Sequence, residues 1–274
     1  MADRSILITG CSSGIGLDAA RHLSRRGWSV FAACRKAGDC ARLEAEGLIS
    51  PLIDYEDTDT IAPALARVLE ATGGTLTALF NNGAYAIPGL VEDLPTAALR
   101  QNFEANFFGW HELTRRVIPV MRAQGHGRIV QNSSVLGFAA MPWRGSYNAT
   151  KFALEGLTDT LRLEMRGTDI HVSLIAPGPI TSAFRRNARA RFEEWIDWQS
   201  SVRRADYAVQ IARLGSDEPS KFELPASAVT AKLIHAIESA RPRPRYYVTV
   251  PTYLGGAMKR LLTTRMMDRF LSKG

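Results

Sequence analysis

The sequence predicts an α/β domain with a mostly parallel, doubly wound sheet of about seven strands and helices on both faces. Two observations support this prediction. Short apolar runs alternate with longer stretches that suit helices, and such alternation requires crossover connections between parallel strands. The chain has 274 residues, of which 46% are hydrophobic and 22% charged, so it can bury a substantial core. We therefore expect a single domain over residues 1–274.

The predicted strands are short apolar runs bounded by turn residues. They cover residues 5–9, 29–34, 50–53, 78–81, 128–132, 171–176 and 246–250. The helix-compatible stretches cover residues 15–26, 40–46, 60–71, 96–123, 147–166 and 226–240. A strand followed by a helix, repeated along the chain, is typical of folds that bind ligands at the carboxyl ends of their strands.

Residues 183–224 interrupt this alternation. The segment is polar and rich in arginine, and its two tryptophans, Trp195 and Trp198, lie three residues apart. An insertion of about 40 residues after a strand end is a common place for a lid over a binding site. We therefore expect a substrate lid here. The alternative is that the two tryptophans only pack this segment onto the body or onto another subunit.

The formal net charge of +7 is concentrated at the carboxyl end. Residues 241–274 contain eight Lys/Arg and one acid, so the 26 basic and 26 acidic residues of 1–240 cancel. This distribution argues against a nucleic-acid binder, whose basic residues would spread over a binding face. Residues 252–274 predict one basic amphipathic helix. Its apolar side would dock on the body, bind a second subunit or make peripheral contact with a membrane.

Cysteine content and hydropathy indicate a cytoplasmic protein. Cys11, Cys34 and Cys40 have no paired spacing that would predict a disulfide framework or a zinc site, and we predict no metal. No apolar run approaches the roughly 20 residues of a membrane-spanning helix. The first predicted strand begins at Ser5, which leaves no room for a signal peptide.

A glycine-rich turn joins the first predicted strand to the first predicted helix. It reads Thr9-Gly10-Cys11-Ser12-Ser13-Gly14-Ile15-Gly16. Its glycines permit a tight turn and close approach of the backbone to a ligand, and free N–H groups at a helix start suit a pyrophosphate. Such a turn alone is a weak signal, because it could simply begin a helix. The predicted phosphate contacts are Gly10, Ser12, Ser13, Gly14, Ile15 and Gly16.

Ser134, Tyr147 and Lys151 predict the chemistry. Tyr147 and Lys151 are four residues apart in a predicted helix and so project from one face, and Ser134 follows a strand end. Hydride transfer to a carbonyl leaves an alkoxide that needs a proton donor. A phenol with a pKa of about 10 suits this task only if a neighbouring ammonium stabilises the phenolate. Ser134 would hold the substrate oxygen. A Tyr–Lys pair alone would more often be a helix-face contact.

Together, the glycine turn and these three residues resemble short-chain dehydrogenases/reductases over about residues 3–182, extending to about residue 250. The resemblance implies a Rossmann-type fold with Ser134, Tyr147 and Lys151 as catalytic residues. Lys151 would also bind the nicotinamide ribose. The family's fourth catalytic residue, which orders a proton-relay water, corresponds to Asn106. Taken alone, Asn106 could equally be a packed polar residue.

The resemblance also assigns cofactor contacts after several strands. The family's Asn-Asn-Ala-Gly stretch matches Asn81-Asn82-Gly83-Ala84, with the last two residues transposed, and Gly83 still permits close backbone approach. The residue pair after the third strand lies where the family contacts adenine, and the stretch Pro177-Gly178-Pro179-Ile180 matches its nicotinamide-side loop. The implied contacts are Asp54, Tyr55, Asn82, Gly83, Pro177, Gly178, Ile180 and Ser182, besides Tyr147 and Lys151.

The end of the second predicted strand favours NADP(H) over NAD(H). It continues into Arg35-Lys36, without the acid that NAD enzymes place there for the ribose 2′-hydroxyl. A guanidinium can form two parallel hydrogen bonds to a 2′-phosphate. The alternative is that Arg35 and Lys36 are two solvated charges in a loop.

The motifs around Gly10, Arg35 and residues 147–156 are similar to those of 17β-hydroxysteroid and retinol dehydrogenases and their bacterial relatives. The candidate pocket walls are apolar, which suits a hydrophobic carbonyl or alcohol: Leu136, Phe138, Ala140, Met141, Trp143, Phe184, Trp195 and Trp198. The arginines at 185, 186, 189 and 191 would admit an acidic substrate or form a solvated helix face. Resemblance alone implies a homodimer or homotetramer.

We therefore expect an NADP(H)-dependent oxidoreductase that interconverts a carbonyl and an alcohol on a hydrophobic substrate, with Tyr147 as the acid/base. The alternative is a non-catalytic cofactor-sensing or scaffold protein on the same fold. The intact Ser134, Tyr147 and Lys151 argue against it. An adaptor for nucleic acids or membranes is disfavoured by the neutral charge of residues 1–240.

Overall fold

A parallel sheet of six strands forms the centre of the computed structural model, which describes residues 4–215 and 218–271. The strands are β1 (Ser5–Ile8), β2 (Ser29–Ala32), β3 (Ala78–Asn81), β4 (Gly127–Asn132), β5 (Ile170–Ala176) and β6 (Arg245–Tyr247). Their order across the sheet is β2-β1-β3-β4-β5-β6. The direction of winding therefore reverses beside β1, the place where doubly wound sheets bind ligands.

Helices cover both faces of this sheet, as predicted. Ile8 of β1 lies in a core cluster with Leu23 and Leu233, and its neighbour Leu7 lies in the opposite cluster with Leu113. Successive strand residues point to opposite faces, so both faces are buried. The helices are α1 (Gly14–Arg25), α2 (Ala37–Ala45), α3 (Ile61–Ala71), α4 (Thr96–Phe103), α5 (Gly109–Gln124), α6 (Gly145–Glu164), α7 (Phe184–Trp195), α8 (Arg204–Gly215), α9 (Ser227–Glu238), α10 (Val250–Leu261) and α11 (Thr264–Leu271).

The prediction of a seventh strand over residues 50–53 is wrong, and Pro51 is the reason. Residues 49–53 run beside β2 in parallel register, but pairing is broken in the middle. A continuous ladder would need the residue-51 amide to donate to the Ala32 carbonyl, and proline has no N–H. The Ser50 hydroxyl donates to that carbonyl instead, at 2.6 Å. The segment therefore covers the edge of β2 without becoming a strand.

The helix predicted over residues 96–123 is also interrupted. A π-helical segment, Glu104–Phe108, separates α4 from α5. Such a segment inserts an extra residue into a helical turn and is frequent at functional sites. Here it carries Asn106, which is fully buried.

The carboxyl-terminal helix predicted over residues 252–274 is two helices, α10 and α11; residues 272–274 lie outside the described residues. Leu262 ends α10 because it takes an extended conformation, with φ −98° and ψ 147°. The Thr263 carbonyl then accepts hydrogen bonds from the amides of Met266 and Met267 in the first turn of α11, a position that suits threonine. Among the residues that the structure describes, no helix has both the length and the hydropathy to cross a bilayer.

Candidate active site

The turn between β1 and α1 has the shape that a phosphate-binding loop requires. Gly10 and Gly14 have positive φ angles of 69° and 59°, which glycine adopts without strain. A Cβ on Gly16 would overlap the Gly10 carbonyl. The Ser13 side chain makes no capping hydrogen bond in the described structure, so the first-turn N–H groups, beginning with Gly14 and Ile15, are left for another acceptor.

Asn82 and Gly83 pack against this turn. The Asn82 side chain donates to the Thr9 carbonyl at 3.0 Å, and the backbone amides of Asn82 and Gly83 donate to the Thr9 hydroxyl at 3.0 and 3.2 Å. A Cβ on Gly10 would lie only 2.5 Å from the Cα of Gly83. The transposed glycine therefore keeps the two loops in direct backbone contact.

The residues predicted to contact adenosine differ in exposure: Arg35, Lys36 and Asp54 reach the surface, whereas Tyr55 is buried. Arg35 and Lys36 are exposed after β2, and Arg35 Nη1 lies 3.4 Å from Glu56 Oε1. Asp54 is half-buried, and its carboxylate accepts a hydrogen bond from the Glu56 amide at 3.0 Å. The Tyr55 side chain is buried and its hydroxyl hydrogen-bonds within the core. The Tyr55 ring therefore packs inside the domain rather than at its surface.

Ser134, Tyr147 and Lys151 lie together at the carboxyl end of β4. Ser134 follows β4, whereas Tyr147 and Lys151 lie in the first turns of α6. The Ser134 side chain lies beside the Tyr147 hydroxyl, whose pKa it acts to lower. Lys151 Nζ lies 5.6 Å from the Tyr147 ring centroid and donates to the Asn132 carbonyl at 2.8 Å. The i, i+4 spacing thus places both side chains beside the strand end, as predicted.

Helix α7, at the start of the segment predicted to be a lid, covers the Tyr147 side chain. The Phe184 ring, at the start of α7, lies 5.3 Å from the Tyr147 ring. Ala188 of α7 and Leu136 complete the same apolar cluster. Tyr147 is consequently only 8% exposed, and water has little access to it.

Burial determines how both ionisable groups titrate. It raises the pKa of the Tyr147 phenol, while the neighbouring Ser134 hydroxyl opposes this shift. It lowers the pKa of Lys151 to about 7, while the nearby Glu155 carboxylate opposes this shift. An acidic phenol, which the sequence reasoning requires, is therefore not a property of the protein alone, and Lys151 changes its charge near neutral pH.

Asn106 holds the segment that follows β3. Its Nδ2 donates to the Tyr85 carbonyl at 2.8 Å, and its Oδ1 accepts from the Tyr85 amide at 3.1 Å. The same Nδ2 lies 3.3 Å from the Thr150 hydroxyl in α6. Both the oxygen and the nitrogen of this side-chain amide therefore have hydrogen-bond partners inside the protein. This agrees with the alternative that Asn106 is a packed polar residue.

The loop after β5 returns to the glycine turn. A Cβ on Gly14 would lie 3.0 Å from the Ser182 Cβ, so the two loops are in contact. Gly178 has no room for a side chain, because a Cβ there would overlap a neighbouring hydroxyl. The Pro177 carbonyl accepts an amide hydrogen bond at 2.8 Å from the turn after β4, and Ile180 pairs with the segment after α8.

Trp195 and Trp198 pack the lid onto the body of the domain. Both are half-buried beside a cluster around Tyr207 of α8. The Tyr207 ring is 4.8 Å from that of Trp143, and its hydroxyl donates to the Asp93 carboxylate at 2.7 Å. These contacts favour the packing alternative for the two lid tryptophans.

Three of the four arginines predicted in this segment, at 185, 189 and 191, have acidic partners. Arg189 pairs with Glu193 at 2.8 Å and Arg191 with Glu194 at 2.6 Å, both within α7. These short-range pairs favour an ion-paired helix face over a site for an acidic substrate.

Sequence reasoning missed three contacts between residues far apart in the chain. Glu56 lies 3.4 Å from Arg35 and 3.6 Å from Arg191 of the lid. The Trp110 ring in α5 lies 4.1 Å from Lys151 Nζ. No spacing rule connects these residues, and only the packing of the helices brings them together.

Residues 4–193 match the family model described as short chain dehydrogenase. The chain belongs to the short-chain dehydrogenase family. Its members are oxidoreductases that bind NAD(P) and act on small molecules, which confirms the family, the Rossmann-type fold and the general reaction class predicted from the sequence.

The relatives of this short-chain dehydrogenase cover most of its length. The uncharacterized oxidoreductase YbbO of Escherichia coli K12 is 41% identical over 98% of this chain and 94% of its own. An NADPH-dependent 3-dehydrocapnine reductase of Ornithobacterium rhinotracheale is 30% identical over 98% and 96%. Human retinol dehydrogenase 8 is 34% identical over 67% of this chain and 61% of its own. This match agrees with the predicted resemblance to retinol dehydrogenases.

Similarity to a solved structure supports the same fold. A short-chain dehydrogenase/reductase of Burkholderia phymatum in complex with NAD superposes with a TM-score of 0.77, at 27% identity, over 98% of this chain and 95% of that one. The residues present here fit a dinucleotide. Gly10 and Gly16 allow the turn to pack without side-chain collisions, and the start of α1 lacks a side-chain cap in the described structure, which leaves its amides for an anionic group.

Replacing Lys151 with Met should flatten the pH dependence of stability. Lys151 has a pKa of about 7 in the folded protein against an ordinary 10.5, so the unfolded state binds more protons between these values. The unfolding free energy of the wild type should therefore rise with pH in this window, by up to about 1.4 kcal/mol per pH unit from this group.

Urea denaturation between about pH 7 and 10 measures this slope. Lys151→Met should lose the Lys151 contribution, whereas the exposed Lys221→Met should retain it. An identical slope in wild type and Lys151→Met would contradict the depressed pKa.

Proposed function

We propose that this short-chain dehydrogenase is an NADP(H)-dependent enzyme that interconverts a carbonyl and an alcohol on a hydrophobic substrate. The observation that carries the proposal is the meeting of Ser134, Tyr147 and Lys151 at the carboxyl end of β4. The glycine turn after β1 lies on the same edge of the sheet. A bound nicotinamide cofactor would supply the hydride.

Tyr147 is the proton donor in this proposal. Its hydroxyl would protonate the substrate oxygen during reduction and take the proton back during oxidation. Ser134, whose side chain lies beside the Tyr147 hydroxyl, would hold that oxygen. The Lys151 ammonium would stabilise the phenolate, offsetting the effect of burial. Asn106 would support the proton relay by fixing the segment after β3.

The preference for NADP(H) rests on the end of β2. Arg35 is exposed there, and its guanidinium is only 3.4 Å from Glu56. A 2′-phosphate carries more charge than one carboxylate and accepts two hydrogen bonds from the guanidinium plane, so it would compete with Glu56 for Arg35. The Ornithobacterium relative is an NADPH-dependent reductase, which agrees with this preference.

The lid supports a hydrophobic substrate. Phe184, Leu136 and Met141 are apolar side chains near Tyr147 or the turn after β4, and Phe184 and Met141 are 37% and 36% exposed. Exposed apolar surface beside a catalytic hydroxyl would bind an apolar substrate better than a sugar phosphate.

The Tyr147→Phe variant tests the proton donor. It should lose about 10²- to 10⁴-fold in kcat/KM for NADPH oxidation with a panel of lipophilic ketones and aldehydes, and it should still bind NADPH. The exposed Tyr253→Phe serves as the matched control and should retain activity.

Unchanged turnover in Tyr147→Phe would refute the assignment of the acid. A wild-type protein that binds NADPH and turns over no panel member would favour the cofactor-sensing or scaffold alternative.

The Arg35→Asp variant tests the cofactor preference. Loss of a charge-assisted pair with the 2′-phosphate should weaken NADPH binding by about 10- to 100-fold, with a much smaller effect on NADH. Fluorescence titration with both dinucleotides measures the ratio. Arg115→Asp, at an exposed arginine on α5, controls for the change in net charge. Equal losses for NADPH and NADH would mean that Arg35 does not meet the 2′-phosphate.

The carboxyl-terminal helices suit peripheral contact with an anionic membrane. Leu254 and Leu261, seven residues apart on one face of α10, are 56% and 81% exposed, and Phe270 of α11 is 61% exposed. Lys259 and Arg260 are exposed on the same helix. Self-association through this surface would place its basic residues opposite each other, which favours an anionic lipid partner. Oligomerisation, common in this family, would use α4, α5 and α6.

Sedimentation with phosphatidylserine-containing vesicles tests the membrane contact. Wild type should pellet at low salt, and the double variant Leu254→Ser, Leu261→Ser should remain in the supernatant. Val209→Ser, at a position 61% exposed on α8, should behave as wild type. Failure of the wild-type protein to pellet would remove the proposal.

A further inference from the structure

We propose that Trp110 is a positioning residue for catalysis: its indole face binds the Lys151 ammonium, keeps it charged and ties it to the cofactor loop. This inference rests on the proposed function, because it concerns the lysine of that site. Nothing in the motif that contains Tyr147 and Lys151 points to α5, where Trp110 lies.

The geometry is that of a buried cation–π contact. Lys151 Nζ lies 4.1 Å from the Trp110 ring centroid, within the range of a strong interaction. Both side chains are inaccessible: Trp110 is 0% exposed and Lys151 1%. An ammonium removed from water needs compensating partners, and tryptophan offers the most favourable aromatic face for a cation.

The other groups around Lys151 do not take the place of the Trp110 ring as a partner for the ammonium. From β4, the Asn132 carbonyl accepts one of its three hydrogens at 2.8 Å. From α6, the Tyr147 ring lies 5.6 Å away, and Glu155 is the acid that acts on it. Glu155 also forms an ion pair with Arg245 of β6, so its charge is shared with a second cation.

Arg245 also forms an ion pair with Asp159, at 3.2 Å. Burial lowers the pKa of Lys151 to about 7, with Glu155 opposing the shift. An indole face that binds ammonium and not neutral amine acts in the same direction as Glu155. It raises the fraction of charged Lys151 at the pH where the enzyme has to work.

The other edge of the indole is fixed to the cofactor loop. Trp110 Nε1 donates to the Gly83 carbonyl at 2.8 Å, and Gly83 is in backbone contact with Gly10 of the phosphate turn. One side chain therefore connects the Lys151 charge to the loop that approaches the cofactor. A displacement of that loop would therefore be transmitted to Lys151 through the rigid Trp110 ring.

The direct test is the pKa of Lys151, measured in the protein without substrate. The chain has six lysines, so lysine labelled with ¹³C at Cε gives few NMR signals, and Lys151→Arg assigns the one of interest. In Trp110→Leu, which keeps apolar bulk without an aromatic face, the Lys151 pKa should fall by about one unit. In Trp110→Phe, which keeps a ring but loses the N–H, it should fall by less than half as much.

An isosteric series guards against a failure of Trp110→Leu to fold. Incorporation of fluorotryptophan withdraws electron density from the ring and keeps the indole N–H and nearly the same shape. Among the described residues, Trp110 is the tryptophan that a lysine ammonium faces. The Lys151 pKa should fall with increasing fluorination. An unchanged pKa across Trp110→Leu or the fluorinated proteins, or equal shifts in Trp110→Phe and Trp110→Leu, would overturn the proposal.

Activity separates this inference from the proposed function. If both hold, the alkaline limb of the kcat/KM profile moves to lower pH in Trp110→Leu by the same amount as the Lys151 pKa, and Trp110→Phe restores most of the difference. If Tyr147→Phe stays fully active while Trp110 still shifts the Lys151 pKa, the proposed function fails and the contact stands. If the NMR pKa does not move while Tyr147→Phe is inactive, the function stands and the role of Trp110 is wrong.

Discussion

The burial of one ammonium constrains this site more than any other interaction. Lys151 is 1% exposed, and its charge is met by the Asn132 carbonyl of β4, the Trp110 ring of α5 and the Glu155 carboxylate of α6. These groups belong to three elements on the same part of the sheet. The charge is therefore tolerated only when both helices are packed against β4, and the site depends on the core as much as on its motif.

The parallel sheet brings the remaining parts of the site to one edge. The loops after β1 and β3 touch where Gly10 meets Gly83, and the loops after β1 and β5 touch where Gly14 meets Ser182. The contact between Gly10 and Gly83 leaves no room for a side chain, so these two loops approach through their backbones. Backbone N–H groups are then available near an anionic ligand whatever side chains surround them.

The sequence predicts the parts of this protein that follow from local spacing. The i, i+4 pair of Tyr147 and Lys151 and the glycine turn depend on periodicity and backbone freedom, which are local properties. The sheet count failed at Pro51, where one missing donor outweighed an apolar run. The contacts of Trp110 and Glu56 were not predicted either, because they join distant segments and depend on how α5 and α7 pack.

Pro51 has a further effect on how this molecule meets its neighbours. Residues 49–53 occupy the outer side of β2 with interrupted pairing, and the strand at the opposite margin, β6, has only three residues. Long, regular edge strands are templates to which exposed strands of other chains can pair. One edge of this sheet is interrupted by proline and the other is very short. Both features discourage edge-to-edge pairing between molecules and so help to protect the protein from aggregation at high concentration or soon after synthesis.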